Sequence, residues 1–305
     1  MVAGRTLDRV QRKSRGERRQ ADGTGSRSLA RNGWYPSWAP SSRALVFGRQ
    51  TPRGEIVVTV RLDGTGERPL LELARDEHPG WSPGGRKIVF ARDCSVHVID
   101  PDGSALRAVG VRACDAAFAP DGNRLVGTRA GDLVVFTGEG RVLRRVQALR
   151  DPVDHLPYVL TSPAWSPDGR TIVYGAREQI GGCSDLYAVT AADGTQRRLT
   201  THCGSGIDDA LDPSWSPDGA RIAYVDGEAG IAIVAADGTG KRVLTPSIRG
   251  VRNGNPAWSP DGSRIVFDRT AGSRDTQIYV TDAGGGRLQQ LTTSGGSQPD
   301  LQPVR

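Results

Sequence analysis

Residues 255–267 read Asn-Pro-Ala-Trp-Ser-Pro-Asp-Gly-Ser-Arg-Ile-Val-Phe, and variants of this stretch occur six times along the chain. The six stretches begin at Tyr35, His78, Asp115, Ser162, Asp212 and Asn255. Each contains one aromatic anchor, at Trp38, Trp81, Phe118, Trp165, Trp215 and Trp258. Successive anchors are 43, 37, 47, 50 and 43 residues apart. A repeat of about 44 residues has the length of one four-stranded propeller blade.

The chemistry of each repeat predicts four antiparallel strands. The Pro-x-Trp-Ser-Pro segment is a strand that starts at a proline, where no ladder hydrogen bond is lost. Pro-Asp-Gly then forms a tight turn before an apolar second strand such as residues 264–267. A third strand such as residues 277–280 leads into a hairpin turn, usually Asp-Gly, and the fourth strand ends in Leu-Thr in three repeats. We therefore predict an all-β fold, a β-propeller of four-stranded antiparallel blades.

The Pro-x-Trp-Ser-Pro-Asp-Gly core, the Ile-Tyr-Val strand at residues 278–280 and the Leu-Thr ending resemble the WD-like repeats of TolB and its relatives. The resemblance extends over nearly the whole chain from Ala21 onward. Two repeats depart from it: Ser41-Ser42 replaces Asp-Gly in the first, and Phe118 replaces Trp in the third. The resemblance implies a propeller that works mainly through protein contacts, as TolB does in cell-envelope assembly. The same repeat also occurs in propellers attached to hydrolase domains, so it indicates a fold more strongly than a function.

Partial repeats at the two ends of the chain predict how the ring closes. Residues 299–303 resemble a seventh first strand, with Leu301 in the anchor position 43 residues after Trp258, and residues 21–29 match a turn and a fourth strand. Joining them in one composite blade would hide the terminal edges and give seven blades. That blade needs further strands near residues 5–10 and 15–20, and the latter segment has no apolar side chain. A six-bladed ring with loose ends is the alternative.

The four cysteines fall into two pairs with the same spacing. Cys94 and Cys114 are 20 residues apart, as are Cys183 and Cys203, and each pair brackets a predicted hairpin turn. Disulfides at the open ends of these hairpins would each add about 3 kcal/mol and indicate an oxidising compartment, periplasmic or extracellular. The alternative is four buried thiols in a cytosolic propeller. The chain has no Cys-x-x-Cys motif and its histidines are scattered, so we predict no metal site.

The motifs of the sequence favour a binding protein over an enzyme. No Gly-x-Ser-x-Gly motif is present, the repeats occupy residues 21–303, and the Gly-rich strings recur once per blade as turns. The aromatic anchors are interpreted as packing residues, because one stands at the same place in each blade. We expect no catalytic residue and no cofactor. Contacts at the channel mouth are expected from the two longest irregular stretches, which contain Asp151, Asp154, His155, Tyr158, Asp208, Asp209 and Asp212. These acidic loops would bind a cation or a basic partner, or would merely be solvated.

Charge distribution narrows the class of partner. Residues 1–31 contain nine basic and three acidic residues, an excess equal to the whole net charge of +6. A neutral body lacks the basic face that nucleic acids require, and no apolar run is long enough to span a membrane. We predict that residues 1–20 are a basic, disordered segment and that residues 21–305 form a single propeller domain. No signal peptide is visible, which a misassigned start would explain.

The sequence therefore predicts a non-catalytic, monomeric scaffold that binds a protein or a cell-wall component outside the cytoplasm. The alternative function is a propeller enzyme of the lyase or hydrolase type, with its site in the channel-mouth loops. Either function would use the loops between blades, because the repeated residues themselves are needed to form the blades.

Overall fold

A computed structural model describes residues 2–3, 6–10, 26–31, 33–52, 54–61, 65–71, 76–129, 131–147, 149–150, 156–179, 184–201, 211–227, 230–245, 248–272, 276–291 and 299–300. These residues form six four-stranded antiparallel sheets and one three-stranded sheet. In each four-stranded sheet the strands are paired in chain order, as the repeat predicts. Within the described ranges the chain forms no helix that is long and apolar enough to cross a bilayer.

The strands follow the repeat closely. The N-terminal sheet contains β1 (Val2–Ala3), β2 (Thr6–Val10) and β3 (Ser26–Arg31). Blade 1 contains β4 (Gly33–Trp38), β5 (Ala44–Thr51), β6 (Gly54–Arg61) and β7 (Arg68–Pro69). Blade 2 contains β8 (Asp76–Trp81), β9 (Ile88–Arg92), β10 (Ser95–Ile99) and β11 (Arg107–Arg112). Blade 3 contains β12 (Cys114–Phe118), β13 (Arg124–Arg129), β14 (Asp132–Thr137) and β15 (Val142–Val146).

The second half of the chain repeats the arrangement. Blade 4 contains β16 (Val159–Trp165), β17 (Thr171–Arg177), β18 (Ser184–Thr190) and β19 (Gln196–Arg198). Blade 5 contains β20 (Leu211–Trp215), β21 (Arg221–Asp226), β22 (Gly230–Ala235) and β23 (Arg242–Val243). Blade 6 contains β24 (Val251–Trp258), β25 (Arg264–Ala271), β26 (Gln277–Asp282) and β27 (Leu288–Gln290).

The number of blades corrects the main expectation from the sequence. Six four-stranded blades are present, as in the alternative, and a seventh is not supported. The N-terminal strands β1–β3 form their own three-stranded sheet, and neither Pro299 nor Asp300 lies in a strand. The Arg-rich N-terminal segment offers few β-branched or aromatic residues with which to build a full blade. Residues 15–20 and 301–303 lie outside the described residues, and the proposed domain boundary at residue 21 stays a prediction.

The core lies between neighbouring blades. First strands of successive blades contact one another, so they form the inner wall of the ring. Five apolar clusters each combine residues of two adjacent blades; for example, Trp258 and Phe267 of blade 6 pack with Ala223 and Leu244 of blade 5. Burial of this apolar surface is the main favourable term in joining one blade to the next.

The Ser-Pro-Asp-Gly turns lie on the face where first strands end, here called the lower face. In blade 4 the Ser166 hydroxyl donates to Asp168 Oδ1 at 2.6 Å, and the Arg170 N–H donates to the same oxygen at 3.0 Å. The serine hydrogen bond is the main reason that the pKa of Asp168 is lowered. The turn glycine Gly169 has a φ of +67°, and its open side lies against Pro120 of blade 3. The motif therefore shapes the turn and also fits it against the preceding blade.

Arginines on the outer strands clamp neighbouring blades together. Arg107 Nη2 donates to the Gly138 carbonyl of the next blade at 2.6 Å, and Arg144 Nη1 donates to the Asp193 carbonyl at 2.9 Å. Two further pairs repeat the contact: Arg197 with Ala236, and Arg242 with Ala283. Each acceptor lies in the turn between the third and fourth strands of the next blade. Four arginines on outer strands therefore join neighbouring blades.

The threonine of the Leu-Thr ending bonds to the third strand of its own blade. Thr200 Oγ1 accepts a hydrogen bond from the Leu186 N–H at 2.9 Å, and Thr245 Oγ1 accepts one from the Ile231 N–H at 2.8 Å. Both hydroxyls are buried, so they satisfy backbone donors that water cannot reach. The Leu-Thr ending is thus a hydrogen-bonding element as well as a strand end.

The C-terminal segment contacts blade 1. Asp300 Oδ2 accepts a hydrogen bond from the Trp38 N–H at 3.1 Å, and the Asp300 carbonyl accepts one from Trp38 Nε1 at 3.4 Å. Between blades 5 and 6 the same indole contact is made by Trp258, whose Nε1 donates to the Ser214 carbonyl at 3.0 Å. Asp300 therefore stands where a preceding blade would place the residue before its anchor.

We expect Asp300→Ala to lower the free energy of unfolding by about 1 kcal/mol, because the Trp38 N–H would lose its side-chain acceptor. Asp300→Asn keeps an acceptor oxygen and should lose less. Urea unfolding of the three proteins measures the difference. Equal losses in the two variants would show that the charge of Asp300, rather than its hydrogen bond, stabilises the contact.

Candidate functional site

One polar side chain from each blade lies at the start of the inner wall. The residue three positions before each anchor has a φ between 48° and 54°, although none of the six is glycine. We call these residues the inner ring: Tyr35, His78, Asp115, Ser162, Asp212 and Asn255. Each lies at a register shift between the first and second strands, and all six are partly exposed. A β-bulge of this kind re-aims a side chain, here close to the rim where the first strands begin.

Neighbouring members of the inner ring contact one another. The rings of Tyr35 and His78 lie 3.8 Å apart, and His78 Nδ1 lies 3.1 Å from Asp115 Oδ1. On the other side of the ring the Ser162 hydroxyl donates to Asp212 Oδ1 at 2.9 Å. The rim therefore presents an aromatic, imidazole and carboxylate group in one sector and a hydroxyl and carboxylate pair in another.

Asn255 faces its own blade. Its Nδ2 donates to Asp268 Oδ2 at 2.7 Å, and the Asp268 side chain is largely buried. Asp268 Oδ1 also lies close to Gly254, where a Cβ atom would come within 2.6 Å of it. The amide is thus held in place by a buried carboxylate, which leaves blade 6 with a fixed polar group at the rim.

The face where first strands begin, here called the upper face, also has charged groups between blades 4 and 5. Asp185 and Asp226 are almost fully buried there. Asp185 pairs with Arg198, and Asp226 Oδ2 lies 2.6 Å from Lys241 Nζ. Burial raises the pKa of the nearby Tyr224 phenol, and the negative charges of the two carboxylates raise it further. This cluster consists of buried charges that are paired, as stable burial requires.

A disulfide bond adjoins the inner ring. Cys94 and Cys114 are bonded, with Cα atoms 4.4 Å apart, across the open end of the β10–β11 hairpin. This pairing confirms the prediction for the first pair. Because Cys114 already belongs to β12, the bond also ties blade 2 to blade 3 beside Asp115. Cys183 and Cys203 lie outside the described residues, so their pairing stays a prediction.

The residues expected at the channel mouth are found in different places. Asp212 belongs to the inner ring. Tyr158 packs against the apolar cluster of blades 3 and 4, with its ring centroid 6.5 Å from that of Tyr187. The others lie outside the described residues: Asp151, Asp154, His155, Asp208 and Asp209. Among the described side chains, no three His, Cys, Asp or Glu groups are close enough together to hold a metal ion.

Sequence reasoning missed five of the six members of the inner ring. They stand at the first position of each quoted repeat, where the side chain changes from blade to blade while the proline, anchor and turn residues recur. A variable polar position inside an otherwise uniform repeat was the available indication. The alternation of side chains along a strand does not reveal a bulge, so the strand pattern gives no sign of this change in side-chain direction.

Comparison with known proteins agrees with this architecture. The family model described as TolB beta propeller domain matches residues 205–303. No curated protein sequence matches the chain. The putative TolB of Agrobacterium tumefaciens is 21% identical, with 80% of this chain and 92% of that chain covered and a TM-score of 0.58. TolB of Acinetobacter baumannii is 20% identical, with 88% and 66% covered and a TM-score of 0.59.

A propeller of another kind is also similar. The β-propeller domain of Cps50 (Swd1) from Myceliophteria thermophila is 14% identical, with 90% of this chain and 91% of that chain covered and a TM-score of 0.68. At these identities the solved structures establish the fold alone. Residues 205–303 match the TolB beta propeller domain, and the chain as a whole has a TolB-like β-propeller fold.

Proposed function

We propose that the chain is a non-catalytic scaffold that binds a protein partner outside the cytoplasm through the upper face around its inner ring. The observation that supports this proposal is the inner ring itself. Six non-glycine residues adopt a left-handed backbone conformation at equivalent places, and their side chains differ from blade to blade. Each such conformation costs on the order of 1 kcal/mol, which a purely structural position would avoid by using glycine.

The chemistry of the rim suits recognition of a polypeptide. Tyr35 and His78 offer flat, partly apolar surfaces, while Ser162 and Asp212 offer a hydroxyl and an acceptor at fixed distance. Aromatic groups flanked by oriented polar groups are typical of protein interfaces. The Cys94–Cys114 disulfide supports a location outside the cytoplasm, because such bonds persist in oxidising compartments.

The test is capture of partners from an envelope extract of the source organism by the immobilised, oxidised chain. We expect His78→Ala to reduce the captured partner about tenfold, since it removes the group that links Tyr35 to Asp115. Arg145→Ala is the matched control, because Arg145 is exposed on the outer strand of blade 3. Partners retained by His78→Ala but lost by Arg145→Ala would place the interface on the outer strands and contradict the proposal.

A second candidate function rests on the His78 and Asp115 pair. An imidazole close to a carboxylate is a candidate general acid or base, and the Tyr35 ring lies beside it. Of the loop residues that the sequence offered for such a site, Asp212 belongs to the inner ring, Tyr158 packs between blades 3 and 4, and the others lie outside the described residues. Turnover of a polysaccharide or ester substrate that is lost in both His78→Ala and Asp115→Asn would favour an enzyme over a scaffold.

A further inference from the structure

The guanidinium group of Arg269 on β25 is buried without a carboxylate partner among the described residues. Arg269 is 8% exposed, and its Nε donates to Asn253 Oδ1 at 2.8 Å. Its Cζ lies 5.5 Å from the ring centroid of Phe267 and 4.9 Å from that of Tyr279. In the part of the chain that the structure describes, its Nη2 has no hydrogen-bond partner. A buried cation in this state destabilises the fold unless a counter-charge is supplied.

Blade 1 has an arginine at the equivalent place, and this arginine has a carboxylate partner. Arg49 and Arg269 both lie eleven residues after their anchors and two residues after a phenylalanine. Arg49 Cζ lies 5.2 Å from the ring centroid of Phe47. Both terminal nitrogens of Arg49 bind the Glu67 carboxylate, with Nη2 and Oε2 2.7 Å apart. In blade 1, therefore, the chain itself supplies a carboxylate to this arginine.

Blade 6 lacks the corresponding acid. Glu67 lies three residues before Leu70, and Leu288 lies three residues before Leu291. Leu70 and Leu291 occupy the same place in their blades, because each N–H bonds to the third strand in the same register. Leu288 thus stands where blade 1 has Glu67, and it is 40% exposed.

We propose that Arg269 binds a carboxylate of the protein partner, either an acidic side chain or a C-terminal carboxylate. This inference rests on the proposed function and names the chemistry that the partner brings. Asn253 occupies Nε and the two aromatic rings lie against the guanidinium group, so among the described residues the terminal nitrogens are the donors left to pair with a carboxylate. The equivalent arginine of blade 1 binds the Glu67 carboxylate, so a carboxylate is the anion that fits this place.

The site lies on the side of the molecule that bears the inner ring. Arg269 pairs with Asn253 near the start of β24, two residues before Asn255. The residue keeps a small part of its surface exposed. A partner seated on the inner ring would therefore reach Arg269 between blades 5 and 6.

The test uses synthetic peptides at fixed ionic strength. The probes are an amidated hexaglutamate, an amidated hexaglutamine, a hexaglutamine with a free C-terminal carboxylate, and a uronic-acid oligomer. We expect at least one carboxylate peptide to bind the full chain, and Arg269→Gln to weaken its binding about tenfold. Arg49→Gln is the matched control and should leave binding unchanged, because Arg49 already holds Glu67.

A second variant tests the site without any ligand. Arg269→Met removes the unpartnered cation and keeps the apolar stem, so the free protein should melt about 2 °C higher while peptide binding is lost. Equal peptide binding by the native chain and Arg269→Gln would overturn the proposal. A lower melting temperature for Arg269→Met would also overturn it, because Arg269 would then be a structural clamp.

The probes also distinguish the possible sources of the carboxylate. Binding of the amidated hexaglutamate alone assigns an acidic side chain, and binding of the free-carboxylate hexaglutamine assigns a C-terminus. Binding of the uronic-acid oligomer alone would overturn the assignment to a protein partner. The peptide experiment tests Arg269 independently of the capture experiment. If no partner is captured through the inner ring, the proposed function is contradicted, while peptide binding at Arg269 is still measured separately.

Discussion

Above pH 10 we expect the propeller to lose stability by about 1.4 kcal/mol per pH unit for each of two buried tyrosines, Tyr174 and Tyr224. Both side chains are fully buried. Burial is the main cause that raises the pKa of each phenol, and neighbouring groups add to it: Tyr187 for Tyr174, and Asp226 and Asp185 for Tyr224. The phenols therefore stay protonated in the folded chain at a pH where they ionise in the unfolded chain.

The free energy of unfolding falls with rising pH because the folded and unfolded chains bind different numbers of protons. Between pH 10 and the raised folded-state pKa, the folded chain holds more protons than the unfolded chain, so each pH unit favours unfolding. The contribution is fully present below pH 10 and is lost as the pH rises. Urea unfolding at several values between pH 8 and 11.5 measures the slope, which is expected to reach about 2.7 kcal/mol per pH unit for the two groups together.

Phenylalanine variants test whether Tyr174 and Tyr224 cause the loss of stability at alkaline pH. Tyr224→Phe and Tyr174→Phe should each remove about half of the alkaline slope, and the double variant should remove most of it. Tyr174→Phe is also expected to lose about 1 kcal/mol at neutral pH, because the Tyr174 hydroxyl donates to Gln196 Oε1 at 2.5 Å. An alkaline slope that is unchanged in the double variant would contradict the assignment.

The blades could be predicted from sequence because their determinants are local. Pro-Asp-Gly fixes a turn within four residues, and the Leu-Thr ending marks a strand end. The pairing of Cys94 with Cys114 followed in the same way, since both lie at the open end of one hairpin. Each of these features depends on residues that are near in the chain or opposite in one sheet, so periodicity and spacing are sufficient.

The site and the ring closure depend on contacts that periodicity does not encode. The His78 and Asp115 contact joins two blades and requires a bulge in each first strand. The expected seventh blade is not supported, because the described residues form six four-stranded blades and the N-terminal strands form a three-stranded sheet of their own. Asp300 accepts two hydrogen bonds from Trp38, although neither Pro299 nor Asp300 lies in a strand.

The sequence alone does not show which turn glycines lie against a neighbouring blade. Among these glycines, we expect substitution of Gly140 to have the largest effect on the free energy of unfolding. Gly140 lies in the turn between β14 and β15 with a φ of +91°, and a Cβ atom there would lie 1.9 Å from the carbonyl oxygen of Val109 in blade 2. The clash is with backbone, which cannot rotate away. We expect Gly140→Ala to lower the free energy of unfolding by about 4 kcal/mol, from backbone strain and overpacking together.

Gly138 in the same turn is the matched control. A Cβ atom on Gly138 would meet nothing within 4 Å, and the Gly138 carbonyl would still accept the hydrogen bond from Arg107 of blade 2. Gly138→Ala should therefore change the free energy of unfolding by less than about 0.5 kcal/mol. Both variants are compared by urea unfolding of the oxidised chain, so that the Cys94–Cys114 bond is constant. Similar stabilities for the two variants would mean that the turn can move away from Val109, and that blades 2 and 3 are not held together at this contact.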